Sequence, residues 1–169
     1  SYLHLRGLGG DADALAQVEE RIAASIYRQA EAARLAGDHA AAVEDFLRVG
    51  VAAPAATIRP DALYDAAALL VADQQWGRAV EVLHRYRDEF PGHRFQDEAT
   101  QQLAVALEAD GRDLEAAREF EAIAATPSLD VQVQREALWR AAALHRQAGE
   151  AAGEQRVLEQ AVQRFAESL

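Results

Sequence analysis

The chain has 169 residues, half of them hydrophobic but only 7% aromatic, and 40 alanines make up the difference. Without Cys or Lys it offers no thiolate nucleophile, disulfide, Cys-ligated zinc, Schiff base or phosphate-loop lysine. Twenty-eight acids against 17 bases, every base an Arg, give a net charge of −11, which repels phosphate backbones and argues against nucleic acid as a partner.

Taken from the N-terminus, residues 1–10 carry Gly7, Gly9 and Gly10 and are expected to form a flexible segment. The opening residues show neither an initiator Met nor a signal peptide, so the sequence reads as a mature or excised piece. Asp11 or Asp13 is placed to cap a helix over 12–36, with a partner over about 38–52. Further helices are expected near 60–73, 75–89, 96–110, 112–125, 131–148 and 150–167. No stretch approaches 18 uncharged apolar residues, so no transmembrane segment is predicted.

These segments superimpose when aligned on turns at Gly37, Gln74, Gly111 and Gly149. Seven residues before each turn stand Ala30, Ala67, Ala104 and Ala142, and five after it Ala42, Ala79, Ala116 and, as an exception, Glu154. Next come Phe46, Leu83, Phe120 and Leu158, then Val49, Tyr86, Ile123 and Ala161. Small residues at fixed points let two helix axes approach, and the large ones fill the gaps between crossings. Gly at the turn supplies the left-handed conformation that ends the first helix of each pair; Gln74 lacks that freedom. Pro54, Pro91 and Pro127 follow the second helices.

The pattern resembles the tetratricopeptide repeat (TPR), over roughly residues 23–166. The period of about 37 residues, with Phe90-Pro91-Gly92-His93-Arg94-Phe95 between units, resembles a bacterial envelope subgroup. That subgroup includes the YbgF-type coordinator of the Tol–Pal system and the TPR lipoprotein of the Bam machine. The resemblance implies an all-α, right-handed solenoid of about four repeats, near 23–56, 60–93, 97–130 and 135–168, within a single domain over 11–169. Gln29, Thr100, His145 and Glu154 depart from the repeat pattern.

Catalysis finds no support. No Ser stands in a Gly-x-Ser-x-Gly elbow, and the five histidines, at 4, 39, 84, 93 and 145, have no metal-ligand spacing. No catalytic residue, metal ligand or cofactor is nominated, and the chain is not expected to be an enzyme. His145 takes a slot filled elsewhere by Leu70 and Leu107, which points to packing. Trp76, Tyr86 and Phe90 are expected in the core, and Glu115, Glu119 and Glu121 on a solvated face.

The resemblance implies that the first helix of each pair lines a concave groove. Ten residues before each turn the sequence places Tyr27, Tyr64, Gln101 and Trp139 on equivalent points of these helices. Two roles are open to the rings, contact with a bound segment or packing against a neighbouring helix. Helical spacing sets Arg28, Glu31 and Arg34 near Tyr27, and Arg140 and Arg146 near Trp139, with Asp65 and Glu108 on the middle helices. An extended peptide with apolar and some acidic side chains would suit Arg-bearing ends; ordinary pairing within a helix is the alternative role for these charges.

The expected function is therefore a protein–protein interaction scaffold holding a protein or peptide segment, in the periplasm or at the outer membrane by resemblance, with the cytoplasm as alternative. A spacer within a larger repeat protein, or a helical accessory domain of an envelope enzyme, are the other readings. The apolar stripe Val157, Leu158, Ala161, Val162 and Phe165 predicts self-association through the last helix.

Overall fold

A computed structural model describes the backbone of residues 2–166 and the side chains of residues 12–166. Eight helices and no strand occur among the described residues: α1 (Tyr2–Leu35), α2 (His39–Ala52), α3 (Arg59–Ala72), α4 (Trp76–Glu89), α5 (Gln96–Ala109), α6 (Asp113–Ala124), α7 (Val131–Gln147) and α8 (Ala151–Phe165). From α2 onwards, the helix limits fall within two residues of those expected; residues 167–169, into which the last helix and repeat were extended, lie outside the described residues.

The first helix differs. It begins at Tyr2 and runs through Gly7, Gly9 and Gly10, where a loose segment was expected, so positions 11 and 13 lie inside it and not at its N-terminus. A glycine lowers helix propensity by only about 1 kcal/mol and leaves helical φ and ψ open. Ser1 lies outside the described residues. Farther along α1, Glu19 accepts the Ala55 N–H at 3.0 Å, and Glu20 accepts the Thr57 N–H at 2.7 Å, which fixes the loop between α2 and α3.

The turns follow the helix-ending logic of the sequence. Gly37, Gly111 and Gly149 have φ of 79°, 76° and 78°. Beyond each, the next residue's N–H reaches back across the helix end: Asp38 to the Ala33 carbonyl, Arg112 to Leu107 and Glu150 to His145, at 2.8 to 2.9 Å. Gln74 adopts the same left-handed conformation, φ 57°, with a side chain. Asp38 and Asp130 cap α2 and α7 by accepting from Ala41 N and Gln132 N.

The chain divides into two compact units, residues 1–74 and 75–169. In the first, α1 packs on α2 and α2 on α3; in the second, each helix from α4 to α8 packs on the next. Backbone packing dominated by successive neighbours is what stacked helical hairpins produce. Ala23, Ala30, Ala42, Phe46, Val49, Ala62 and Ala66 are buried in the first unit. Ala79, Leu83, Tyr86, Ala104, Ala116, Phe120, Ala142 and Ala161 are buried in the second. The small and large register positions are thus core, with the exception of Leu158 in the last pair, which is half-exposed.

Several side chains depart from expectation. Trp76 and Phe90 are only half-buried, while Tyr86 is fully enclosed and its hydroxyl meets His93 Nδ1 at 2.6 Å. Gln134 is buried at the start of α7 with its amide satisfied on both sides. It donates to the Thr126 and Leu129 carbonyls at 3.1 and 2.8 Å and accepts from Arg164 at 2.7 Å. His145 is buried as expected. Glu119 and Glu121 are not part of a free solvated face: Glu119 accepts from Arg87 of α4, and Glu121 accepts from both Arg156 and His145. Glu119 and Glu121, two residues apart, leave α6 on different sides, one toward α4 and the other toward α7 and α8.

Candidate functional site

In the first unit the nominated residues meet one another. The Tyr27 hydroxyl donates to Asp65, from α1 to α3, and the Tyr27 ring meets Phe46 edge-on with centroids 5.1 Å apart. Burial, together with the Asp65 carboxylate, pushes the Tyr27 hydroxyl well above the usual phenol range. Burial also raises Asp65 above the usual carboxylate range, although the Tyr27 hydrogen bond works in the opposite direction. Arg34 pairs with Glu31 of its own helix at 2.7 Å. Tyr27 is thus half-buried between helices with its hydroxyl and ring both engaged, and Tyr64 is half-buried on α3. Arg28 points elsewhere, into an exposed shallow face with Val18, Arg21 and Ile22.

The second unit holds a cleft between α5, α6 and α7. Gln101 and Val105 of α5 form one wall; Val133, Glu136 and Arg140 of α7 form the other; Phe120 and Ile123 of α6 lie at the bottom. Phe120 is 4% exposed, so its ring closes the floor, whereas Val105 and Val133 remain 38% and 36% exposed at the walls. Arg140 is held in place twice. Its guanidinium lies 4.3 Å from the centre of the Phe120 ring, and it donates to Glu108 of α5. Glu136 stands exposed at the rim and forms no ion pair among the described residues. Trp139, 45% exposed, lies on the adjacent face of α7 with Gln132, Glu136 and Arg140.

The cleft arises from the residue sizes its helices carry. Ala104 and Ala137 let α5 and α7 approach the backbone of α6, and the larger Phe120 occupies the remaining space below. The cleft thus has an apolar floor, with Gln101 and Glu136 at its edges and the Arg140 guanidinium over Phe120. No group of three or more His, Asp or Glu arranged to hold a metal ion occurs among the described residues.

The Arg residues expected at the groove ends are mostly paired in this geometry. Arg34 is neutralised by Glu31, Arg140 by Glu108, and Arg146 by Glu154 at 2.5 Å, away from the cleft at the α7–α8 turn. The charge left over at the cleft is acidic. The cleft brings together Gln101 and Arg140, with Glu108 behind them, of the residues nominated from sequence, while Trp139 borders it. Phe120, Ile123 and Val133 went unnominated, because on a single helix an apolar residue facing a cleft looks like one facing the core.

Comparison with known proteins supports the architecture. Residues 61–93 match the family model described as tetratricopeptide repeat. No curated protein matches. Among solved structures, the chain is similar to the nearly identical TPR-like repeats of Podosopora anserina named for kinesin light chain, with a TM-score of 0.57 and 19% identity. That alignment covers 95% of this chain and 90% of the other. The Q17M form of the same repeats gives a TM-score of 0.56 at the same identity and coverage. At this identity the likeness establishes a TPR-like helical fold.

Proposed function

We propose that the chain is a non-catalytic TPR scaffold of about four repeats, and that it holds an extended segment of a partner protein in the cleft between α5, α6 and α7. The observation that carries this reading is the cleft whose walls Val105 and Val133 stay exposed above Phe120 and Ile123, with the Arg140 guanidinium over the Phe120 ring as the group a bound side chain would pack beside. An apolar side chain seated there would gain about 1.5–3 kcal/mol from burial. The Glu136 carboxylate at the rim and the already neutralised Arg140 favour an apolar side chain flanked by Lys or Arg in the partner. The net charge of −11 favours encounter with such a segment.

Selection of displayed random peptides against the chain tests the reading, with Val105→Arg as the counter-selected variant. Peptides pairing an apolar residue with a basic one, and lost on Val105→Arg, are the expected outcome. Enrichment of acidic peptides, or of none, would sink it. Placement in the bacterial envelope rests on the resemblance of the Phe90–Phe95 segment and the repeat period, and belongs to the proposal; fractionation of cells expressing the full-length protein tests it.

A further inference from the structure

The cleft between α5, α6 and α7 has a counterpart in the first unit, and the counterpart is filled. Its floor is Phe46, which follows Gly37 by nine residues as Phe120 follows Gly111. The Tyr27 ring of α1 lies against Phe46 edge-on at 5.1 Å, and its hydroxyl donates to Asp65 of α3. Phe46 is left 1% exposed.

In the second unit Gln101 stands at the position of Tyr27, ten residues before the turn. Its amide turns back to its own helix, donating to the Asp97 carbonyl at 3.4 Å, and α5 sends no ring into the cleft. Val105 takes the position of Glu31, and Val133 that of Ile58, so both walls carry an apolar residue. The two remaining charges have exchanged places. Arg34 and Asp65 of the first unit correspond to Glu108 and Arg140 of the second. With no tyrosine hydroxyl between them, Arg140 donates directly to Glu108, and its guanidinium lies 4.3 Å from the Phe120 ring centre. A cleft of about 180 Å³ remains at the place that the first unit fills with its own tyrosine.

The chemistry of this space favours a ring over an alkyl chain. Arg140 lines the cleft, and its side chain stays 37% exposed although its guanidinium lies on Phe120. An aromatic face attracts a guanidinium, whereas an alkyl group takes away its water and returns nothing. Glu108 holds the guanidinium in place, so an incoming side chain packs beside it and does not displace it.

We infer that the residue entering the cleft is an aromatic side chain of the partner segment, set beside Phe120 as Tyr27 is set on Phe46, with its ring against the Arg140 guanidinium. The inference rests on the reading of the cleft as the place where a partner segment is held. Gln101 is then the position that decides specificity, because it leaves to the partner a place that tyrosine fills from within.

Capped pentapeptides Lys-Gly-X-Gly-Arg, with X as Phe, Tyr or Leu, test this when titrated at millimolar concentration into the 15N-labelled chain. The Phe and Tyr peptides are expected to shift the Val105, Val133 and Arg140 amides. They should also move the Arg140 Nε–H signal upfield, the ring-current mark of a stacked ring. The Leu peptide is expected to bind about fivefold more weakly and to leave that signal in place. Gln101→Tyr is expected to fill the cleft from within and abolish the shifts, with Gln101→Phe as a second variant. Circular dichroism melts establish that each variant is folded, and the wild-type comparison decides even where neither is. Equal binding of the Leu and Phe peptides at these amides would overturn the inference and leave the cleft reading standing. Shifts at none of these amides with any peptide would remove both. A folded Gln101→Tyr or Gln101→Phe chain that binds the Phe peptide like the wild type would also overturn it. So would cleft shifts on dilution of the chain alone, which would put a second copy in the cleft.

Discussion

His145 Nδ1 lies 2.4 Å from the point where a β-carbon on Gly153 would stand, so α7 and α8 meet as ring against bare backbone. The ring is fixed from its other side, where Nε2 lies 2.7 Å from Glu121 Oε1. A carboxylate only accepts, so the imidazole proton sits on Nε2 and donates to it. Glycine is needed at 153 for close approach, not for an unusual φ.

Gly153→Ala is therefore expected to destabilise the chain by about 1–3 kcal/mol, because the buried ring must leave its place for the added methyl. Urea unfolding by circular dichroism measures it. Ala152→Ser, one residue away and exposed, serves as the control and should change little. An unchanged midpoint for Gly153→Ala would mean that the ring moves freely.

The turn at Gln74 offers the opposite sign. A side chain in the left-handed region costs about 1–2 kcal/mol, and the Gln74 side chain is exposed. Gln74→Gly removes that cost at some loss of unfolded-state restriction, for a net gain of about 0.5–1 kcal/mol. Gly111→Ala, at φ 76°, should lose about 1–2 kcal/mol. Thermal melts of the two variants should move in opposite directions from the wild type.

The repeat register was legible because it is written in residue size. Ala30, Ala67, Ala104 and Ala142 are all buried, and helix limits set by Gly37, Gly111 and Gly149 could be read directly. The polar partnerships were not. Tyr27 and Asp65 are 38 residues apart, Arg140 and Glu108 are 32 apart, and Arg156 and Glu121 are 35 apart. Spacing of three and four within one helix says nothing about such pairs. A search for complementary residues near one repeat length apart would have found them. The cleft was hidden for a related reason, since its floor Phe120 follows the same pattern as the core residues Phe46 and Leu83.

Glu121 gives the chain a pH dependence with a definite sign. Burial raises its pKa, but the hydrogen bonds from Arg156 and His145 outweigh this and hold it below the usual carboxylate range. A carboxylate depressed in the folded state contributes stability above its unfolded pKa, and that contribution is lost as pH falls through the folded value. Glu121→Gln should therefore be less stable than wild type at neutral pH, with the difference shrinking at about pH 3, below the usual carboxylate pKa. Melts of both proteins at the two pH values measure this. A difference that stays constant or grows on acidification would contradict the assignment.

Val105→Arg separates binding from folding. The side chain is 38% exposed at the cleft wall, so the substitution should shift stability by no more than about 0.5 kcal/mol. A peptide that seats an apolar residue on Phe120 should nonetheless lose at least about tenfold in affinity, the 1.4 kcal/mol expected from one displaced apolar contact. Isothermal titration with the selected peptide reads the affinity, and a urea melt reads the stability.

The most direct test of the scaffold reading is to map where such a peptide sits, by titrating it into the 15N-labelled chain and following amide shifts. The account predicts saturable shifts at Gln101, Val105, Val133, Glu136 and Arg140, and their disappearance in the Val105→Arg chain. Shifts confined to α8 or to the first unit, or persisting unchanged in the variant, would contradict it.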